Sequence, residues 1–194
     1  TSYKDKAFHD NVDLTGKTYM VTGANSGLGK EMTRYLAEKG ADVYMVCRNP
    51  ERGEKAKADV AEKTKSDKLH LLVCDVGKAK DVRSMWRSFI DASASKAGGA
   101  KLDGLVCNAG TIMHEMTLTD DEVETTFASQ MGNGVYLLGT LAMPTLSSTP
   151  DSRLVIVTSG GMLNVALPDW ETLTCTSKKA REEYNGVKWY ALMK

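Results

Sequence analysis

The sequence predicts an α/β fold, a doubly wound parallel sheet in three layers, and two observations carry that prediction. Short apolar runs alternate with longer helical patterns along the chain. The first of those runs leads into a glycine-rich stretch, Thr22-Gly23-Ala24-Asn25-Ser26-Gly27-Leu28-Gly29, which precedes a helix. A length of 194 residues, with 42% hydrophobic and 26% charged residues, suits one soluble domain with a substantial core. Residues 1–194 therefore read as a single domain without an internal boundary, repeat or low-complexity tract.

The elements follow in order. Thr1 to Thr15 read as a polar N-terminal arm, and Asp13 to Lys17 as a turn into the first strand at Thr18-Tyr19-Met20-Val21. The first helix, Lys30 to Lys39, carries an apolar stripe of Leu28, Met32, Tyr35 and Leu36 and stops at Gly40. Asp42 to Cys47 form the second strand, with Val43, Met45 and Val46 buried, and Pro50 sits in the first turn of a charged helix reaching Lys65. The third strand is Leu69 to Cys74. A helix from Lys78 to Ser95 presents Val82, Met85, Trp86, Phe89 and Ile90 on one face, and a Gly/Ala loop, Lys96 to Lys101, leads to the fourth strand, Leu102 to Cys107. Thr119-Asp120-Asp121-Glu122 has capping-box spacing and predicts the start of a long helix ending near Pro144, weakened by Gly132, Gly134 and Gly139. Arg153 to Thr158 form the fifth strand. The segment from Gly160 to Trp189 is too long for a simple connection and is expected to be functional or poorly ordered.

Right-handed crossovers and a glycine turn after the first strand imply a Rossmann-type order, 3-2-1-4-5, with ligands at the carboxyl ends of the strands. A helix N-terminus offers unpaired N–H groups and partial positive charge to a dinucleotide pyrophosphate. In the spacing G-x-x-x-G-x-G, Gly23 makes the tight turn, Gly27 the close approach and Gly29 the helix–strand packing. NAD-binding folds place a carboxylate about 20 residues past the glycine fingerprint to hold the ribose. Here Cys47 stands there and Arg48 follows, which suits a 2′-phosphate and NADP(H) over NAD(H). Asp75-Val76 ends the third strand, where an aspartate accepts from the adenine amino group. Asn108-Ala109-Gly110 ends the fourth with small residues, and Ser159 the fifth. Two Tyr-x-x-x-Lys pairs follow, Tyr184/Lys188 and Tyr190/Lys194. On a helix such a pair shares a face, and an ammonium beside a phenol lowers its pKa from about 10, making a usable acid/base.

The formal net charge of +0 gives no reason to expect nucleic acid or an anionic membrane as partner. The four cysteines, Cys47, Cys74, Cys107 and Cys175, form no C-x-x-C pair and read as buried, reduced thiols. No metal site is expected. With no signal-peptide pattern and no apolar run of about 18 residues, the expectation is an intracellular location, cytoplasmic or organellar (chloroplast or mitochondrion), without a transmembrane segment. The sequence opens on Thr1 rather than Met, as a processed or shortened chain would.

These motifs together resemble the short-chain dehydrogenase/reductase family over essentially the whole chain: Thr22 to Gly29, Asp75-Val76, Asn108-Ala109-Gly110, Val157-Thr158-Ser159-Gly160-Gly161 and Tyr190-Ala191-Leu192-Met193-Lys194. Val46 to Asn49 and Ser159 to Leu163 are most similar to the retinol-dehydrogenase-like branch and its dehydrogenase/reductase member 12 group. The resemblance implies an oxidoreductase moving hydride between a nicotinamide and an alcohol/carbonyl substrate, a small lipophilic one in that branch. It assigns Gly23, Asn25, Ser26, Gly27, Leu28, Gly29, Arg48, Asp75, Val76, Asn108, Ala109 and Gly110 to the cofactor. It makes Tyr190 the proton donor or acceptor, Lys194 its support and the holder of the nicotinamide ribose, and Ser159 a hydrogen-bond donor to the substrate oxygen. Tyr190/Lys194 is preferred to Tyr184/Lys188 because Gly186 lies inside the latter pair. Three departures stand out. The family's long helix has an asparagine supporting the lysine through water, where this chain offers Gln130 or Asn133. Tyr190 lies unusually far beyond Ser159. The family also continues past the lysine with further strands, a Pro-Gly loop and a lid, and often dimerises through the tyrosine helix. A non-catalytic accessory subunit of a larger complex is the competing expectation.

Overall fold

Five parallel strands form one sheet in the order β3-β2-β1-β4-β5, as the alternating pattern predicts. The structure, a computed structural model, describes residues 11–94 and 99–194. Most of the expected N-terminal arm, the expected helix end at Ser95 and the first part of the loop from Lys96 to Lys101 lie outside the described residues.

The strands are β1 (Thr18–Thr22), β2 (Asp42–Cys47), β3 (Leu69–Val73), β4 (Gly104–Cys107) and β5 (Arg153–Ile156). Between them run α1 (Gly27–Glu38), α2 (Pro50–Thr64) and α3 (Ala79–Ala94). Successive residues of a strand face opposite sides of the sheet, and each side has its own core. Met20, Tyr44 and Val46 pack with Val82, Met85 and Phe89 of α3 on one face. Val21, Val43 and Met45 pack with Ala37 of α1 and with Ala56 and Val60 of α2 on the other. All four cysteines are buried free thiols.

Two expectations change. In α1 the fully covered positions are Gly29, Thr33 and Ala37, not the larger stripe. Small side chains let the helix lie close to the sheet, and Leu28 stays 70% exposed at the helix start. The long helix does not start at Thr119. A capping box needs Glu122 in helical conformation, but Glu122 is left-handed, with φ 57°. The Thr119 hydroxyl instead accepts from Val123 N, and Leu118 and Glu124 form an antiparallel bridge. The helix begins at Thr125, capped by the Glu124 carboxylate. It continues without a break as Thr125–Phe127, a π segment at Ala128–Leu137 and an α segment at Leu138–Ser148, together α4. Pro144 does not end it, because burial of Leu138, Ala142 and Leu146 outlasts the loss of one N–H.

The segment after β5 carries secondary structure of its own. It forms a 3₁₀ turn (Gly160–Asn164) and helices α5 (Trp170–Leu173), α6 (Lys178–Glu182) and α7 (Gly186–Met193). Trp189, Leu192 and Met193 of α7 build a third core with Leu173 and Cys175, against Phe127 and Met131 of α4.

β1 and β4 are joined beyond their ladder. The Thr22 hydroxyl accepts from Asn108 N and Ala109 N, each at 3.0 Å, and Asn108 Nδ2 donates to Thr22 O at 2.9 Å. Thr22→Val keeps the shape and strands two backbone donors. It is expected to destabilise the chain by about 1–3 kcal/mol in urea unfolding, with Thr22→Ser near wild type. Equal stability of Thr22→Val and wild type would contradict this role for the hydroxyl.

Candidate active site

The carboxyl ends of the strands hold two adjoining clefts that share Gly23, Ala109 and Gly110. The first also carries Asn25, Arg48, Asp75 and Val76. The second carries Ser26, Gly27, Leu28, Asn108, Ser159, Tyr190 and Lys194. Every site residue expected from the sequence except Gly29 thus lines one of the two.

Gly29 acts underneath. A Cβ there would stand 2.3 Å from Gly23 O and 2.6 Å from Asn108 Nδ2, so only glycine lets α1 meet the β1 and β4 ends. Gly27 is left-handed, with φ +51°, and a Cβ on it would meet nothing within 4 Å. Its open side is where a ligand can approach the backbone. The Ser26 side chain caps nothing and the first turn of α1 holds no acidic residue, which leaves its N–H groups to an anion. These features fit a dinucleotide pyrophosphate.

At one end, Cys47 is buried and the exposed Arg48 follows it. Asn49 caps α2 by accepting from Arg52 N at 2.8 Å, fixing the turn that carries Arg48. Asp75 Oδ1 accepts from Gly77 N at 3.0 Å, which orients its carboxylate at the rim. Burial pushes the Cys74 thiol in this cleft up to about 12, so it stays protonated.

At the other end, Lys194 Nζ donates to Val157 O at 3.2 Å and Asn108 O at 3.5 Å, bridging the ends of β5 and β4. It lies 5.8 Å from the Tyr190 ring centroid. Half-burial of Lys194 pulls its pKa below the usual lysine value. Ser159 Oγ accepts from Gly161 N at 3.2 Å and starts the 3₁₀ turn.

The second Tyr-x-x-x-Lys pair lies elsewhere. Tyr184 turns its hydroxyl towards Met113 O and Glu124 Oε1, and Lys188 is exposed with its amine 5.8 Å over the Trp189 ring.

The two amides proposed for the lysine support also separate. Asn133 Nδ2 donates to Gly77 O at 2.9 Å, holding the loop beside Asp75. Gln130 Nε2 donates to Thr111 O at 2.8 Å, while its buried Oε1 has no partner. A Cβ on Gly110 would stand 2.9 Å from that oxygen and 2.8 Å from Lys194 Nζ, so both groups close on the same glycine. The π segment turns Gln130 towards Thr111 and Gly110 and Asn133 towards Gly77. Its sequence trace is the glycine run Gly132-Asn133-Gly134, since a Cβ on Gly134 would stand 1.9 Å from Ser129 O. Thr22, which joins β1 to β4, opens the glycine-rich stretch but has no role expected from the sequence, and Glu124 carries no motif that singles it out.

A family model described as short chain dehydrogenase matches residues 17–183; Tyr190 and Lys194 follow the matched span. Dehydrogenase/reductase SDR family member 12 of Bos taurus is 33% identical over 180 residues, 93% of this chain and 53% of that protein. Retinol dehydrogenase 12 of Mus musculus is 34% identical over 150 residues, 77% of this chain and 45% of that protein. Among solved structures, an uncharacterized protein from Mycobacterium paratuberculosis aligns with a TM-score of 0.76 at 26% identity, covering 96% of this chain and 60% of that one. The chain spans about half the length of the curated relatives it matches. With that span matched and the strand-end motifs gathered in two adjoining clefts, the chain belongs to the short chain dehydrogenase family.

Proposed function

We propose that residues 1–194 form one cofactor-binding domain of an NADP(H)-dependent oxidoreductase acting on an alcohol/carbonyl pair. The observation that carries this reading is that Ser159, Tyr190 and Lys194 line the same cleft as Gly27 and the start of α1. NADPH, when bound, supplies the hydride. Ser159 Oγ and the Tyr190 hydroxyl hold the substrate oxygen, and Tyr190 gives its proton to that oxygen as the carbonyl is reduced. Lys194 places positive charge beside the phenol and holds the ribose hydroxyls. Gln130 takes the place of the family's asparagine, a reading supported by its unpartnered Oε1, which closes with Lys194 Nζ on Gly110.

Arg48 supports NADP(H), since a guanidinium forms charge-assisted bonds to a phosphate. A lipophilic substrate is supported by the apolar residues that follow Ser159: Leu163 is 83% exposed and Leu167 80%. It is also supported by similarity to a protein named as a retinol dehydrogenase. No helix among the described residues is long and apolar enough to cross a membrane.

Titrating NADPH and NADH into the chain and following fluorescence tests the cofactor assignment. NADPH is expected to bind about tenfold tighter or more, a difference of the size of one charge-assisted hydrogen bond. Arg48→Ala is expected to erase the preference, and binding of neither dinucleotide at millimolar concentration would overturn the assignment. Tyr190→Phe is expected to cut NADPH-dependent reduction of a medium-chain aliphatic aldehyde by about a hundredfold or more. It should leave the NADPH Kd near wild type, and undiminished turnover would remove Tyr190 from the chemistry.

A further inference from the structure

We propose that Glu124 and Tyr184 form a buried latch that positions the helix carrying Tyr190 and Lys194. The proposal rests on the functional reading above and assigns Tyr184 a role outside the acid/base pair.

Glu124 is completely buried. Its Oε1 accepts from Thr126 N at 2.9 Å and its Oε2 from Phe127 N at 2.7 Å, so the carboxylate caps α4. The Tyr184 hydroxyl lies 3.3 Å from the same Oε1, and also 3.3 Å from Met113 O and from Thr126 Oγ1. Burial raises the pKa of this phenol, which therefore stays protonated and donates at neutral pH. A buried carboxylate is tolerated only when its oxygens are hydrogen-bonded, and here the bonds come from both sides of the site. The α4 bonds fix the segment that presents Gln130, and the phenol fixes the segment entering α7.

That entry is tight. Two residues after Tyr184, a Cβ on Gly186 would stand 1.8 Å from Met113 O, so α7 starts in direct contact with the loop beyond β4. Asn185 caps α7 by accepting from Lys188 N at 3.0 Å. The Tyr184 ring also packs on Trp189 with centroids 5.0 Å apart, and Trp189 is the residue before Tyr190. With its one phenol proton shared between Met113 O and Glu124 Oε1 and its ring against Trp189, Tyr184 sets both the start and the middle of α7. A small shift of α7 misplaces the Tyr190 hydroxyl, and misplacement by about 1 Å can cost about a hundredfold in rate.

Tyr184→Phe keeps the ring on Trp189 and removes only the hydroxyl; Glu124→Gln keeps the shape and an acceptor. In the intact 194-residue chain, Tyr184→Phe is expected to lower kcat for aldehyde reduction about tenfold, with the NADPH Kd within about twofold, a loss equal to one net hydrogen bond. The primary isotope effect on kcat with 4-deuterated NADPH is expected to rise as hydride transfer becomes more limiting. Adding Tyr184→Phe to Glu124→Gln is expected to cost less than it does alone. A lowered thermal midpoint with kcat and isotope effect unchanged would make the pair a stability device only and overturn the proposal. Amide exchange reads the latch without turnover: Tyr184→Phe is expected to speed exchange in Gly186–Met193 about tenfold while Thr18–Thr22 stay protected. If wild type neither binds NADPH nor turns over, the functional reading fails and exchange alone decides, unchanged exchange in α7 then overturning the latch.

Discussion

β1 pairs with β2 on one side and β4 on the other, and the site depends on that arrangement. The connections leaving β1 and β4 pass to opposite faces of the sheet, so their first turns diverge and leave a crevice above the strand ends. Gly23 and the Thr22 hydroxyl hold the two lips of the crevice together at its base, through Asn108 and Ala109. Without that bond pair the N-terminus of α1 and the small residues Ala109 and Gly110 would not face a common space.

The far end of the crevice is built differently. There the groups that would perform chemistry stand on α7 and on the turn after β5, which lack the sheet's ladder of bonds. They are held by burial and by a few long-range polar contacts. Lys194 bridges the carbonyls of Asn108 and Val157, and Trp189 sits in a core of its own with Leu192 and Met193. The π segment of α4 lies between the two ends and sends one amide to each, Gln130 towards Lys194 and Asn133 to Gly77. The Arg48 end is therefore a property of the sheet, and the other end a property of how α4 and α7 pack together.

This division explains what could be read from the sequence. Strand positions were legible because Met20 and Val21, or Tyr44 and Met45, face opposite cores that are both apolar, which leaves short continuous apolar runs in the chain. The glycine stretch was legible because Gly23, Gly27 and Gly29 each meet a backbone constraint that other residues violate. The start of α4 was not. Thr119 and Glu122 satisfy capping spacing locally, but the bridge between Leu118 and Glu124 claims the segment, and a buried carboxylate does the capping. Local helix formers do not separate the two Tyr-x-x-x-Lys pairs either. What separates them in space is the contact of Tyr184 with Glu124, 60 residues away, which leaves no periodic trace.

A crystal structure of the chain grown with NADP⁺ decides whether the strand-end crevice is one dinucleotide site. The expected complex has the 2′-phosphate on Arg48, the pyrophosphate on the first turn of α1 and the nicotinamide ribose against Lys194, drawn from the carbonyls of Asn108 and Val157. A dinucleotide bound away from Gly27, or one with its phosphate remote from Arg48 and its ribose remote from Lys194, would contradict it.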